Sequence, residues 1–160
     1  MSKYLSQGVV FFTLGMLLPP VTQAASQTAS AQQQMLTSAD PQVAANKRLV
    51  FDFWRTVLDG GHLELASRYL SKNYIQHNPN VPTGRDGFVA FFAKFSKPHP
   101  VSDHIDAPLV SIVGEGDLVI LSFKHRLPDP KIKNQYYITT WFDMFRIEHG
   151  KIVEHWDEAQ

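Results

Sequence analysis

The chain of 160 residues reads as an α+β domain, with helices gathered first and strands after them. Three observations point that way. Apolar residues recur at helical spacing from Val43 to Val57 and again from Phe88 to Phe95. Beyond Pro100 the sequence becomes rich in Val, Ile, Phe, Tyr and Trp, the composition of strands. Those runs are separated only by short turn-forming clusters, Gly114-Glu115-Gly116, Pro128-Asp129-Pro130 and His149-Gly150, which predicts an antiparallel sheet with the helices on one face.

Asp40-Pro41 is a cap followed by the residue best tolerated at a first helical position, so the first helix starts there and runs to Gly60-Gly61. Leu63, Ala66 and Leu70 suggest a second, short helix. Tyr74-Ile75-Gln76-His77 is a brief extended piece ended by Asn78-Pro79. A third helix begins around Arg85-Asp86, carries the Phe88, Phe91, Phe92 and Phe95 stripe, and is closed by Lys97-Pro98. Strands are expected over 104–113, 117–127, 135–147 and 151–157.

The composition bounds the function. Apolar residues make up 44% and charged residues 19%, enough to bury one core and too little charge for a disordered chain. Lys plus Arg (15) balances Asp plus Glu (15), which removes the phosphate attraction that nucleic-acid binders use. The absence of Cys excludes disulfides, thiol nucleophiles and Cys-ligated zinc. At the N-terminus, Lys3, the apolar run Gly8 to Leu18 and the small-residue site near Ala24 read as a signal peptide over residues 1–24. The run is shorter than the roughly 20 residues of a membrane span, so the expectation is export to the periplasm or outside, with no span retained after cleavage. Residues 25–39, mostly Ala, Gln, Ser and Thr, read as a flexible leader, and residues 40–160 as the domain.

Candidate chemistry comes from polar groups on apolar strand faces. Side chains alternate across a strand, so Tyr137, Thr139, Trp141, Asp143, Phe145 and Ile147 share one face, and Val153, His155 and Asp157 another. His125 shares a face with Val119, Leu121 and Phe123. Which of these meet depends on the last hairpin. A two-residue His149-Gly150 loop needs positive φ at His149 and turns Asp157 away from Asp143. A three-residue loop with only Gly150 left-handed pairs Ile147 with Lys151, Asp143 with His155 and Trp141 with Asp157. The second is the expectation, because it asks left-handed geometry of glycine alone. A carboxylate held among aromatic rings is desolvated, which raises its pKa toward the range useful for acid/base work, and an adjacent imidazole can relay a proton. This is carbonyl chemistry without a cofactor. A His/carboxylate metal site is the other reading of the same residues, but no tight ligand spacing supports it, so no metal is expected.

Two stretches, Tyr74-Ile75-Gln76-His77-Asn78-Pro79-Asn80-Val81-Pro82-Thr83-Gly84-Arg85-Asp86-Gly87-Phe88 and Asp143-Met144-Phe145-Arg146-Ile147-Glu148-His149-Gly150-Lys151-Ile152-Val153-Glu154-His155-Trp156-Asp157, resemble the SnoaL-like polyketide cyclase family. Within it they are similar to the subgroup of SnoaL-like aldol-condensation-catalysing enzymes. The resemblance spans roughly residues 43 to 160. It implies a nuclear transport factor 2-like cone, with three N-terminal helices packed on a curved antiparallel sheet around a deep pocket, usually as a homodimer. It also implies that Asp157 is the acid/base of an aldol-type closure without a cofactor, with His155 beside it. The family carries a histidine where this chain has Asp143 and a glutamine where it has Trp141, and these departures favour a carbonyl compound smaller than a polycyclic polyketide. Tyr74 and His77 belong to the subgroup's motif and are candidates for the pocket, as is His125, with His77 or His125 orienting the substrate oxygen. Trp54, Phe92, Trp141 and Phe145 supply an apolar wall that binds a small apolar carbonyl compound, as a lyase or isomerase or, on the alternative reading, as a non-catalytic binding module.

Overall fold

The computed structural model describes residues 21–158, with side chains from residue 28. Asp40 caps the first domain helix, its carboxylate accepting the N–H groups of Gln42 (2.7 Å) and Val43 (3.3 Å). That helix, α2 (Pro41–Phe53), continues into a π-helical turn, Trp54–Asp59, and stops at Gly60-Gly61, where Gly61 has φ 70°. A 3₁₀ turn (Leu63–Leu65) and α3 (Ala66–Tyr69) lead into β1 (Leu70–Gln76). Next come α4 (Arg85–Phe92), β2 (Leu109–Glu115), β3 (Leu118–Pro128), β4 (Tyr136–Glu148) and β5 (Lys151–Trp156).

The five strands form one sheet in the order β1-β5-β4-β3-β2. β5, β4, β3 and β2 are antiparallel neighbours, while β1 joins β5 in parallel. Val119, Leu121, Phe123, Phe145, Ile147 and Ile152 point from the sheet into a core shared with Val50, Phe51, Phe53, Trp54 and Val57. The α+β architecture expected from the change of hydrophobic period is the one observed.

Several local expectations are corrected. The signal segment lies almost wholly outside the described residues. The leader expected to be flexible is largely helical, α1 (Val21–Met35). Its anchor is Gln32, whose amide donates to Ile105 O (3.0 Å) and accepts from Ile105 N (2.7 Å), and Leu36 beyond it is 1% exposed. A stretch of Ala and Gln has good helix propensity, and one buried amide that satisfies both backbone groups of a distant residue is invisible to composition. The same contact explains why the strand expected from residue 104 starts only at Leu109: the backbone of Ile105 is committed to Gln32. The third helix ends at Phe92, so Phe95 leaves the stripe and is 63% exposed.

The last hairpin is the consequential correction. His149 (φ 50°) and Gly150 (φ 70°) are both left-handed, and Glu148 pairs with Lys151 and Ile147 with Ile152, which is the two-residue loop. The register then shifts: Arg146 pairs with Glu154 and Phe145 with His155. Val153 is therefore an extra residue in β5, a bulge that turns every later side chain of that strand to the opposite face. The expected pairings of Asp143 with His155 and Trp141 with Asp157 do not form. The shared face of Asp143, His155 and Asp157 is nevertheless restored, by the bulge.

A non-glycine residue with positive φ carries a conformational cost that Asn tolerates better. His149→Asn is expected to raise unfolding stability by about 0.5–1 kcal/mol, read by chemical denaturation. An unchanged midpoint would show that the turn is not strained.

Candidate active site

The inner face of the sheet, α2, the π-helical turn and α4 enclose a cavity of about 590 Å³. Its walls are aromatic, including Phe53, Trp54, Phe88, Phe92, Trp141 and Phe145. Tyr74, Gln76, Asn78, Asp143, His155 and Asp157 form its polar end. β4 contributes Trp141, Asp143 and Phe145 by simple alternation. β5 contributes His155 because the bulge allows Ile152 and His155, three positions apart, both to point inward. β1 contributes Tyr74 and Gln76, with Gln76 beside His155 in the parallel pairing.

Asp143 is 5% exposed and His155 8%. A carboxylate at that depth is tolerable only with donors, and it has two: His155 Nε2 lies 3.0 Å from Oδ1, and the Trp141 indole N–H donates to Oδ2. The imidazole stacks on Phe145, ring centres 4.4 Å apart. Its proton can be placed by following the neighbouring amide. Asn78 N–H donates to Gln76 Oε1 (3.1 Å), which turns Gln76 Nε2 toward His155 Nδ1 (3.0 Å) and the Tyr74 hydroxyl (3.0 Å). An amide N–H faces Nδ1, so Nδ1 accepts and the imidazole proton sits on Nε2, aimed at Asp143. Gln76 is thus the tautomer lock of the Asp143–His155 pair.

Asp157 follows the end of β5. One of its oxygens, Oδ1, is buried without a hydrogen-bond partner. Burial pushes the carboxyl above its ordinary range, and the charge of Asp143 adds to the rise, while His155 and the Asn78 side chain pull the other way. Asn78 can reach Asp157 with its NH₂ because its own oxygen is occupied by Asn80 N–H (2.9 Å). Burial, followed by the charges of Asp157 and Asp143, holds the Tyr74 phenol far above its ordinary value, so it remains a neutral donor. Having accepted from Gln76, its hydroxyl keeps a proton to give.

Asp143, His155 and Asp157 present ligand atoms all within 4.8 Å of one another, the spacing of a possible cation site. Both oxygens of Asp143 and both nitrogens of His155 are also engaged in hydrogen bonds, with Trp141, Gln76 and each other.

Residues 48–160 match the model of the SnoaL-like polyketide cyclase family. The chain belongs to the SnoaL-like polyketide cyclase family. Solved structures share the fold. One described as a polyketide cyclase from Acidithiobacillus ferrooxidans aligns at TM-score 0.51 with 14% identity, over 76% of this chain and 90% of that one. Another, described as a SnoaL-like polyketide cyclase from Jannaschia sp. CCS1, gives 0.51 and 14% over 76% and 91%. An epoxide hydrolase of the LEH-like type from Mycobacterium tuberculosis gives 0.50 and 13% over 73% and 84%. No protein of curated function matches the sequence.

Within this SnoaL-like cone, the structure gathers Asp143, His155, Asp157, Tyr74, Trp54, Phe92, Trp141 and Phe145 around one cavity. Two expected residues are elsewhere. His77 turns to the outer face, stacking on Trp156 (4.7 Å) and bonding Glu154 (2.7 Å). His125 pairs with Thr139, one inward position past Phe123 and Trp141, and meets the Trp141 ring edge-on at 5.3 Å without lining the cavity. Alternation along β1 gives the reason for His77: Tyr74 and Gln76 share a face, and Ile75 and His77 the other. That signal was present in the sequence and would have found Gln76. Asn78, reached through a turn, and Asp59, on the π-helical turn, left no comparable trace.

In uniformly labelled protein, the ¹⁵N shifts of His155 are expected to report the Nε2–H tautomer. Gln76→Leu, which removes the donor to Nδ1, is expected to move both nitrogens toward tautomer-averaged values and to lower stability by about 1–3 kcal/mol. Unchanged nitrogen shifts would mean that Gln76 does not set the proton's position.

Proposed function

We propose that this SnoaL-like protein is an exported, cofactor-independent acid/base catalyst acting on a small apolar carbonyl compound, as an aldol-type cyclase, lyase or isomerase. The observation that carries the reading is the buried, unpartnered Asp157 oxygen beside the Asp143–His155 pair at the polar end of an aromatic cavity. A carboxylate oxygen lacking a donor in a dry site is best satisfied by a proton, which makes it a base of useful strength. With a substrate carbonyl at this end, Asp157 takes the proton from the adjacent carbon. The C–H electron pair moves onto the carbonyl oxygen as an enolate, which the Tyr74 hydroxyl stabilises. The enolate carbon then adds to a second carbonyl, whose oxygen takes the proton back from Asp157, or is itself reprotonated by Asp157. Asp143 and His155 set the protonation of Asp157, and Tyr74 with Gln76 takes the orienting part expected of His77 or His125.

Asp157→Asn is expected to lower turnover by at least about 100-fold while leaving fold and ligand affinity nearly intact. The sign of its effect on stability follows from burial. A carboxyl whose pKa is raised by folding is favoured while protonated, and its contribution is lost as pH rises from the ordinary carboxylate range through the raised value. The variant should therefore melt higher than the wild type at neutral pH, with the difference vanishing below the ordinary carboxylate range. Full turnover in Asp157→Asn removes the assignment. Ligand binding with no pH-dependent turnover in the wild type would favour the non-catalytic binding module.

A homodimer fits the same reading. The face of the sheet opposite the cavity exposes Val113, Ile138 and Phe142, an apolar surface that a second copy would cover. Phe142→Glu is expected to shift the protein to a monomer in analytical ultracentrifugation, and a wild type already monomeric at micromolar concentration would dismiss the dimer.

A further inference from the structure

The acid/base reading leaves two ionisable groups of the cavity without a task, Asp59 and the exposed Glu158. Asp59 closes the π-helical turn after α2, the turn that sets Trp54, Leu58 and Asp59 on the cavity wall. Its Oδ2 accepts the backbone N–H of Asp106 (2.8 Å), tying the turn to the segment that supplies Ala107 to the same wall. The segment is braced from behind by the double hydrogen bond between Gln32 and Ile105. Beside Asp59 lies the indole of Trp54, 7% exposed, whose buried Nε1–H is turned toward the Asp59 carboxylate at a geometry too poor for a full hydrogen bond. The Trp54 ring is 6.3 Å from Phe145, and Phe145 is 4.4 Å from His155. The cavity therefore has two polar places with aromatic surface between them.

We propose that Asp59 and Trp54 form a second anchor, which binds a hydroxyl group at the far end of a substrate whose carbonyl lies against Asp157. This deepens the proposed function and rests on it. The ligand chemistry follows from the donor inventory. A carboxylate only accepts and an indole N–H only donates, and a hydroxyl is the simple group that offers one proton and accepts another. An apolar end would leave the Trp54 N–H with only its poor contact to Asp59, a carboxylate end would face Asp59 charge to charge, and an ammonium would have nothing for Trp54 to donate to. The aromatic wall between the two polar places suits an aromatic ring system.

The test uses two probes that differ by one group, 2-acetylnaphthalene and 2-acetyl-6-hydroxynaphthalene, titrated calorimetrically into the full chain and its variants near neutral pH. The hydroxylated ketone is expected to bind at least about tenfold more tightly to the wild type. Asp59→Leu should abolish that preference, and Trp54→Phe, which keeps an aromatic ring and loses the N–H, should reduce it. Asp59→Asn retains an oxygen for Asp106 N–H. It is the variant to read if Asp59→Leu does not fold, and it should also reduce the preference. Equal affinities for the two ketones, or a preference that survives both Asp59 variants, overturns the anchor. Neither result touches Asp157, whose role is judged by turnover in Asp157→Asn.

Discussion

The site depends on one inserted residue. Side chains in a strand alternate faces, so two inward residues of β5 separated by three positions require a break in the alternation, and the bulge at Val153 supplies it. Without it Glu154 would sit opposite Phe145 on the inner face. With it Glu154 turns outward, into a surface network with Arg146 (3.0 Å) and His77 (2.7 Å), and His155 turns inward to Asp143. The bulge thus sorts two residues of β5: Glu154 outward to Arg146 and His77, and His155 inward to Asp143.

The burial of Asp143 follows from this sorting. A carboxylate on an apolar strand face is affordable because Trp141 comes from its own strand, two residues away on the same face, and His155 comes from the next strand after the bulge. Gln76, from β1 on the far side of β5, completes the arrangement by occupying Nδ1. Three adjacent strands are needed to place one proton. Asp157, just past the end of β5, lacks a comparable set of donors, and its raised pKa is the electrostatic consequence. Two carboxylates close together in one pocket thus sit in different surroundings, Asp143 among donors and Asp157 with one oxygen lacking any.

The comparison of sequence and structure separates by the range of the interactions involved. Local periodicity and punctuation are written in neighbouring residues: the Asp40 cap, the stop at Gly60-Gly61 and the face shared by Trp141, Asp143 and Phe145 all appear where they were expected. The hairpin differs from the local expectation because the cost of positive φ at His149 does not act alone. In the folded sheet that local cost is set against the alignment of Ile147 with Ile152 in the core. The leader differs for a similar reason, since only Ile105, distant in sequence, gives Gln32 its partner.

The sequence by itself determined the order of elements, the membership of one sheet face, the aromatic character of the cavity and the candidate acid and imidazole groups, because these follow from residue type and a period of two or of three to four. Only the tertiary structure decided which of them meet. Register, the Val153 bulge, the parallel addition of β1 and the seating of Asp59 depend on how separate segments satisfy one another's hydrogen bonds and fill one core. No single segment contains that information, since each of those contacts joins residues from different strands or turns.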